Sequence, residues 1–195
     1  MGLAEVQSAL ARLFTDAGLR DRFFADPVAV GRSLGLDQAE AVGLSALSAR
    51  HVEDFAATLR HKRVDDARKV LPLTARSLGG DFGRHLLAAI EGPTPPGRHV
   101  DDARALVARL DRQAQTAGIA PVWMADLARY EFAFREAMAM RRGIALRRFR
   151  FPVDRIVASI HRGEPIEEDK PRPSLGIWSR LPGCRGLLHR VVPWI

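Results

Sequence analysis

A single cysteine, Cys184, stands among 195 residues. That scarcity excludes an internal disulfide framework and any metal cage built from cysteines. Long apolar runs are missing as well: no window approaches the roughly 18 consecutive apolar residues that read as a membrane span. The opening Met1-Gly-Leu-Ala-Glu-Val-Gln has an acid where a secretion signal carries bases, and no apolar stretch follows, so a cytoplasmic protein is expected. Spacing motifs are equally scarce. The histidines (His51, His61, His85, His99, His161, His189) form no pair three or four residues apart, and none sits beside a carboxylate in a ligand-type motif. A helical metal site needs two donors on one face, so no bound metal is expected. There is no G-x-S-x-G elbow, Walker loop or G-x-G-x-x-G fingerprint, and Gly79-Gly80 lies between helical segments with nothing strand-like before it. No catalytic constellation and no cofactor site are therefore expected.

What is present is globular in composition, with 47% hydrophobic and 27% charged residues, and 195 residues can bury one full core, or one core plus a small appendage. The net charge of +7 is unevenly placed. Residues 141–195 hold 12 Arg and Lys against 5 acids, which is the whole surplus, while residues 1–140 hold 18 of each. A basic C-terminal quarter on a neutral body fits an anionic partner: an acidic peptide, an acidic protein face or nucleic acid. Only Lys62, Lys69 and Lys170 are lysines, so genome composition stays open as a second source of the arginine excess.

Hydrophobic spacing predicts helices over the first 140 residues. Val6, Leu10, Leu13 and Phe14 form one stripe, closed by Asp16-Ala-Gly18, and Leu19–Ala25 makes a short turn of helix. Asp26-Pro27 restarts a helix, because aspartate caps it and proline is tolerated at its first position. Asp37 caps the next. Ser48 precedes a long helix with Val52, Phe55, Ala56 and Leu59 inward, which Pro72 interrupts or kinks near its end. Thr74–Leu78 and Phe82–Ile90 continue in shorter pieces. Glu91–Gly97 is too rich in proline and glycine for either regular state. Asp101/Asp102 open a helix carrying Leu106, Val107 and Leu110, and Pro121 starts another that runs to about Met140.

Past Gly143 the texture changes. Ala145–Phe151 alternates apolar and basic positions and predicts a strand with one buried face. Val153–Ile160 predicts a short amphipathic helix, and Leu175–Arg180 with Leu187–Val192 a hairpin. The fold class is mainly α: a helical body over 1–140, and over 144–195 a small basic α/β element with three antiparallel strands. Within the last helix of the body, Asp126 and Glu131 project about 140° apart, so they cannot form an acid/base pair. They are expected to meet different arginines, Arg76 among them, in ion pairs that fix helix docking. Trp123 and Tyr130 read as core or interface aromatics.

Two stretches carry a resemblance. Pro72…Thr74-Ala75-Arg76…Leu78-Gly79…Phe82 and Trp123…Ala125-Asp126-Leu127-Ala128-Arg129-Tyr130-Glu131 are followed by Leu146-Arg-Arg-Phe149…Ile177-Trp178…Pro182-Gly183. In this order they resemble the helical partner subunits of multinuclear non-haem iron oxidases that modify ribosomally made peptides, as in methanobactin biosynthesis. The resemblance is densest over residues 70–140. It implies a non-catalytic recognition subunit that docks on the oxidase and presents the precursor peptide, with the iron on the oxidase. Similar helical regions have been described as DNA-binding domains. Residues 9–47 are also similar to the small helical subunit of some ring-opening dioxygenases.

The motif residues Pro72, Arg76, Trp123, Asp126, Arg129, Tyr130 and Glu131 are expected to be structural. A peptide leader can add a strand to an open sheet edge, and the strands near the C-terminus supply the edges. The residues expected to grip it are Leu146, Arg148, Phe149, Arg150, Ile177, Trp178, Arg180, Leu188 and Arg190, with the helical body turned to the oxidase. The rival is a DNA-binding regulator using Arg141, Arg142, Arg147, Arg148 and Arg150 on phosphates.

Overall fold

The computed structural model describes residues 3–90, 99–166, 170–181 and 186–194. Among these, ten helices and one three-stranded antiparallel sheet form a mainly-α fold with a small α/β element near the C-terminus. None of the described helices is long and apolar enough to cross a membrane. The Glu91–Gly97 loop and Cys184 lie outside the described residues. The chain divides into two compact units, Met1–Asp65 with Ile90–Arg98, and Asp66–Ala89 with His99–Ile195.

The first unit holds α1 (Leu3–Thr15), α2 (Ala17–Ala25), α3 (Pro27–Ser33), α4 (Gln38–Ser45) and most of α5 (Ala49–Val70). Asp16 does not close a helix with Gly18. It caps α2, its carboxylate accepting from the Leu19 amide at 2.8 Å, and Gly18 lies inside that helix. The Asp26-Pro27 start is as the sequence predicts, with Asp26 accepting from Ala29 at 3.0 Å. Asp37 and Glu40 form a reciprocal capping box. Leu13, Leu19, Phe23, Leu36 and Leu44 make the core. α3 and α4 pack closely at Gly31, where an added Cβ would stand 2.6 Å from that of Ala41. Arg20 is buried; it donates to the Leu13 carbonyl at 2.8 Å and pairs with Glu53. Phe55, expected inward, is exposed on α5 and packs against Phe14 with ring centroids 4.6 Å apart.

In the second unit the long helix is interrupted before Pro72, one of the two outcomes expected there, and it is not kinked. Helix α5 stops at Val70, and Pro72 takes the first position of α6 (Pro72–Leu78), where a missing N–H costs nothing. Then come α7 (Asp81–Ala89), α8 (His99–Thr116) and α9 (Met124–Ala139). α9 begins three residues later than expected, because Pro121–Trp123 form a turn in which the Met124 amide donates to the Pro121 carbonyl at 2.9 Å. Val122 is consequently exposed and outside the helix stripe. α9 is the central helix of the unit, packing against α6, α8, α10 (Val153–Arg162) and the strands β1 (Gly143–Phe149) and β2 (Ser174–Arg180). β3 (Leu188–Pro193) completes the sheet, whose order is β1-β2-β3, antiparallel throughout. The change of texture at Gly143 marks a change of secondary structure within one packed unit. Tyr130, Ala133 and Ala137 of α9 share a core cluster with Phe149, Val153 and Trp178.

Candidate functional site

The two carboxylates of α9 do point apart, and each secures backbone. Glu131 accepts from the amides of Leu73 and Thr74 at 2.7 Å each, and from the Thr74 hydroxyl at 2.6 Å. Leu71 precedes α6 and has no side chain to cap it, so a residue nearly sixty positions away supplies the acceptor. Asp126 accepts from the amides of Arg150 and Phe151 at 2.6 and 3.0 Å, fixing the chain where β1 turns toward α10. Among the described residues, of the two only Asp126 meets an arginine, Arg129 on its own helix at 3.2 Å. Arg76 is exposed, and Glu131 takes backbone and hydroxyl donors in its place. Burial pushes both carboxyls above their ordinary range, while the donors around each pull the other way. Burial also pushes the Tyr130 phenol up to about 12, so it is neutral and serves as packing. Both carboxylates are thus satisfied by structural partners.

The sheet has two unlike faces. Phe149, Ser174, Gly176 and Trp178 are buried on the face toward α9. Trp178 is fully enclosed: His189 stacks on it with centroids 5.1 Å apart, and Tyr130 and Phe149 pack at 5.9 and 6.5 Å. Gly176 is required beneath it, since an added Cβ would stand 2.6 Å from the indole. Trp178 and Phe149, expected to touch a peptide, are core residues. The expected buried face of β1 amounts to Phe149 plus half-buried Ala145.

The opposite face follows from the register. Arg148, Leu175 and Val192 form one cross-strand row; Leu146, Ile177 and Arg190 the next; Ile144, Ser179 and Leu188 the third. Ile144 is 66% exposed, Leu146 53% and Leu188 56%. Trp194, 41% exposed, lies under the Arg148 guanidinium, 4.3 Å from its ring centroid. The three strands carry Arg147, Arg148, Arg180 and Arg190 and no acid. Of the nine residues expected to hold a peptide, Leu146, Arg148, Ile177, Leu188 and Arg190 share this face. Arg150 stands beyond β1 in the bend, and Arg180 is half-buried on the other parity of β2.

The edges also differ. On β1, Arg129 donates to the Arg148 carbonyl at 2.9 Å and Arg147 donates to the Leu146 carbonyl at 3.0 Å. Arg147 also reaches Glu136 of α9 at 3.6 Å. Two alternate carbonyls are thus occupied, which blunts that edge against another strand. Among the described residues no side chain is bonded to the β3 backbone. Phe134 packs edge-on to His189 of β3 at 5.4 Å and is still 37% exposed; Met138, one turn further along α9, is 49% exposed. Sequence reasoning missed these two. The signal available was their place in the Tyr130-Phe134-Met138 row, four residues apart on one helix face.

Elsewhere in the unit, a shallow pocket of about 170 Å³ is lined by Ala114, Gly118, Ile119, Val122, Arg150 and Phe151. It is smaller than the roughly 300 Å³ at which small-molecule sites begin. Among the described residues no group of three His, Cys, Asp or Glu converges as a metal site would require. No family model matches the chain, and no curated protein matches it.

Proposed function

We propose that this chain is a cytoplasmic, non-catalytic partner subunit that docks on a multinuclear non-haem iron oxidase and holds a ribosomally made precursor peptide for modification. The observation that supports the reading is an acid-free, arginine-bearing sheet with one edge, β3, whose backbone bonds to no side chain among the described residues. An extended peptide adds a strand beside β3, gaining backbone hydrogen bonds there. Its inward side chains cover Phe134 and Met138, and acidic side chains on its other face meet Arg190. Leu188 and Arg190 are the β3 members of the expected peptide set. The motif resemblance names the oxidase as the enzyme; the metal and the bond-making belong to that separate chain.

The test is fluorescence anisotropy with the labelled precursor encoded beside an iron oxidase, together with co-purification of that oxidase. Phe134→Asp/Met138→Asp should weaken peptide binding at least tenfold with an unchanged circular dichroism spectrum. Wild-type affinity in that folded variant, or no binding by the wild type, refutes the reading. Deleting residues 144–195 is a poor test, because it strips Phe149, Val153 and Trp178 from the core around Tyr130. The DNA-binding alternative rests on the exposed Arg141, Arg142, Arg147, Arg148 and Arg150. It predicts duplex binding that falls steeply with salt.

A further inference from the structure

We propose that the outer face of the sheet is a second docking surface, distinct from the β3 edge, which seats a folded protein partner whose contact patch is apolar at its centre and acidic at its rim. Ile144, Leu146 and Leu188 are each more than half exposed, and they adjoin half-buried Leu175, Ile177 and Val192 in register. Isolated exposed aliphatics need no explanation, but six aliphatics gathered on one face of three strands, with Ser179 and two arginines among them, mark an interaction surface.

Charge selects the occupant. Arg148 stands at one corner of the three rows and Arg190 midway along the β3 side, and no acid stands on any of the three strands. A second copy seated face to face would bring further guanidiniums and no strand acid to the seam, since a two-fold interface repeats one patch on both sides. An acidic rim meets the Arg148 guanidinium, Arg190 being left to the peptide beside β3, and the central aliphatics supply the desolvated core that interfaces need. Position gives the pairing a purpose. The face shares β3 with the peptide edge, so a protein seated on it is brought alongside a strand added there.

This rests on the reading above in one respect: the partner used as probe is the iron oxidase. Two variants separate the surfaces, both at Ile144 on β1, the strand farthest from β3, a residue outside the set expected to grip the peptide: Ile144→Thr, which keeps a good strand former, and Ile144→Glu, which sets an acid against the acidic partner. The readouts are oxidase affinity by biolayer interferometry, precursor affinity by anisotropy, and thermal midpoint. The expected result is at least a tenfold loss of oxidase affinity in each variant, with precursor affinity within twofold of wild type and an unchanged midpoint. Oxidase binding at wild-type strength in both folded variants overturns the second surface and leaves the peptide reading standing. Loss of precursor affinity alone overturns it too, by giving the face to the peptide. Wild-type protein that ignores the oxidase refutes both readings. Concentration-dependent dimerisation, or binding to phosphatidylglycerol vesicles, abolished by the same variants replaces the proposed occupant.

Discussion

The two faces of the C-terminal sheet are made by the same strands and differ in everything that matters. The inner face encloses Trp178 and Phe149 against α9, with Gly176 left bare so that the indole can lie flat over the strand. On the outer face stand Ile144, Leu146 and Leu188, more exposed than buried, among arginines. Both faces are rich in large apolar side chains, so hydrophobicity alone cannot tell packing from docking. Enclosure by a helix can.

The comparison breaks most sharply under truncation. Trp178→Ala should cost about 3–5 kcal/mol in chemical denaturation, while Ile144→Thr/Leu146→Thr stays within about 0.5 kcal/mol, as surface changes do. Equal losses would mean that the outer face is packed in solution. Glu131→Ala comes next. It leaves the Leu73 and Thr74 amides without their acceptor, at about 1–3 kcal/mol for each group that stays buried, and α6 should lose amide hydrogen-exchange protection before the sheet does. Gly176→Val tests the inner face by addition, and overpacking against the indole should cost about 1–3 kcal/mol.

The smallest effect is with pH. Burial raises the Glu131 carboxyl, so the folded chain keeps that proton to higher pH than the unfolded one. The group therefore favours folding below the ordinary carboxyl range, and its contribution is lost as pH rises through the raised value. The melting temperature of Glu131→Gln should gain on wild type between about pH 4 and pH 7. A shift toward wild type would mean that the three hydrogen bonds outweigh burial.

Much of the fold was legible because it is local. Asp26-Pro27 and Asp37 are read from a cap and its next three residues, and the hairpin of β2 and β3 from two short apolar runs around a turn. The same locality misled at Asp16, where a cap for the following helix looks like a stop for the preceding one. At Pro72 it left interruption and kink open, and the structure has the interruption, with Pro72 starting the next helix. The site was less legible. Alternation marks Leu146, Phe149, Ile177, Trp178 and Leu188 as strand residues that face something, but it cannot say which face a helix covers. Nor could spacing foresee that Glu131 serves amides in place of Arg76.

Composition and periodicity by themselves determined the helical class, the three strands near the C-terminus, the concentration of positive charge there and the divergence of Asp126 from Glu131. These depend on neighbours within a turn or two of chain, and on summed charge. Only the tertiary structure decided which apolar residues are spent in the core, which edge is blocked by guanidinium groups and which carboxylate anchors which backbone. Those outcomes depend on contacts between residues twenty to sixty positions apart, whose geometry no local rule contains.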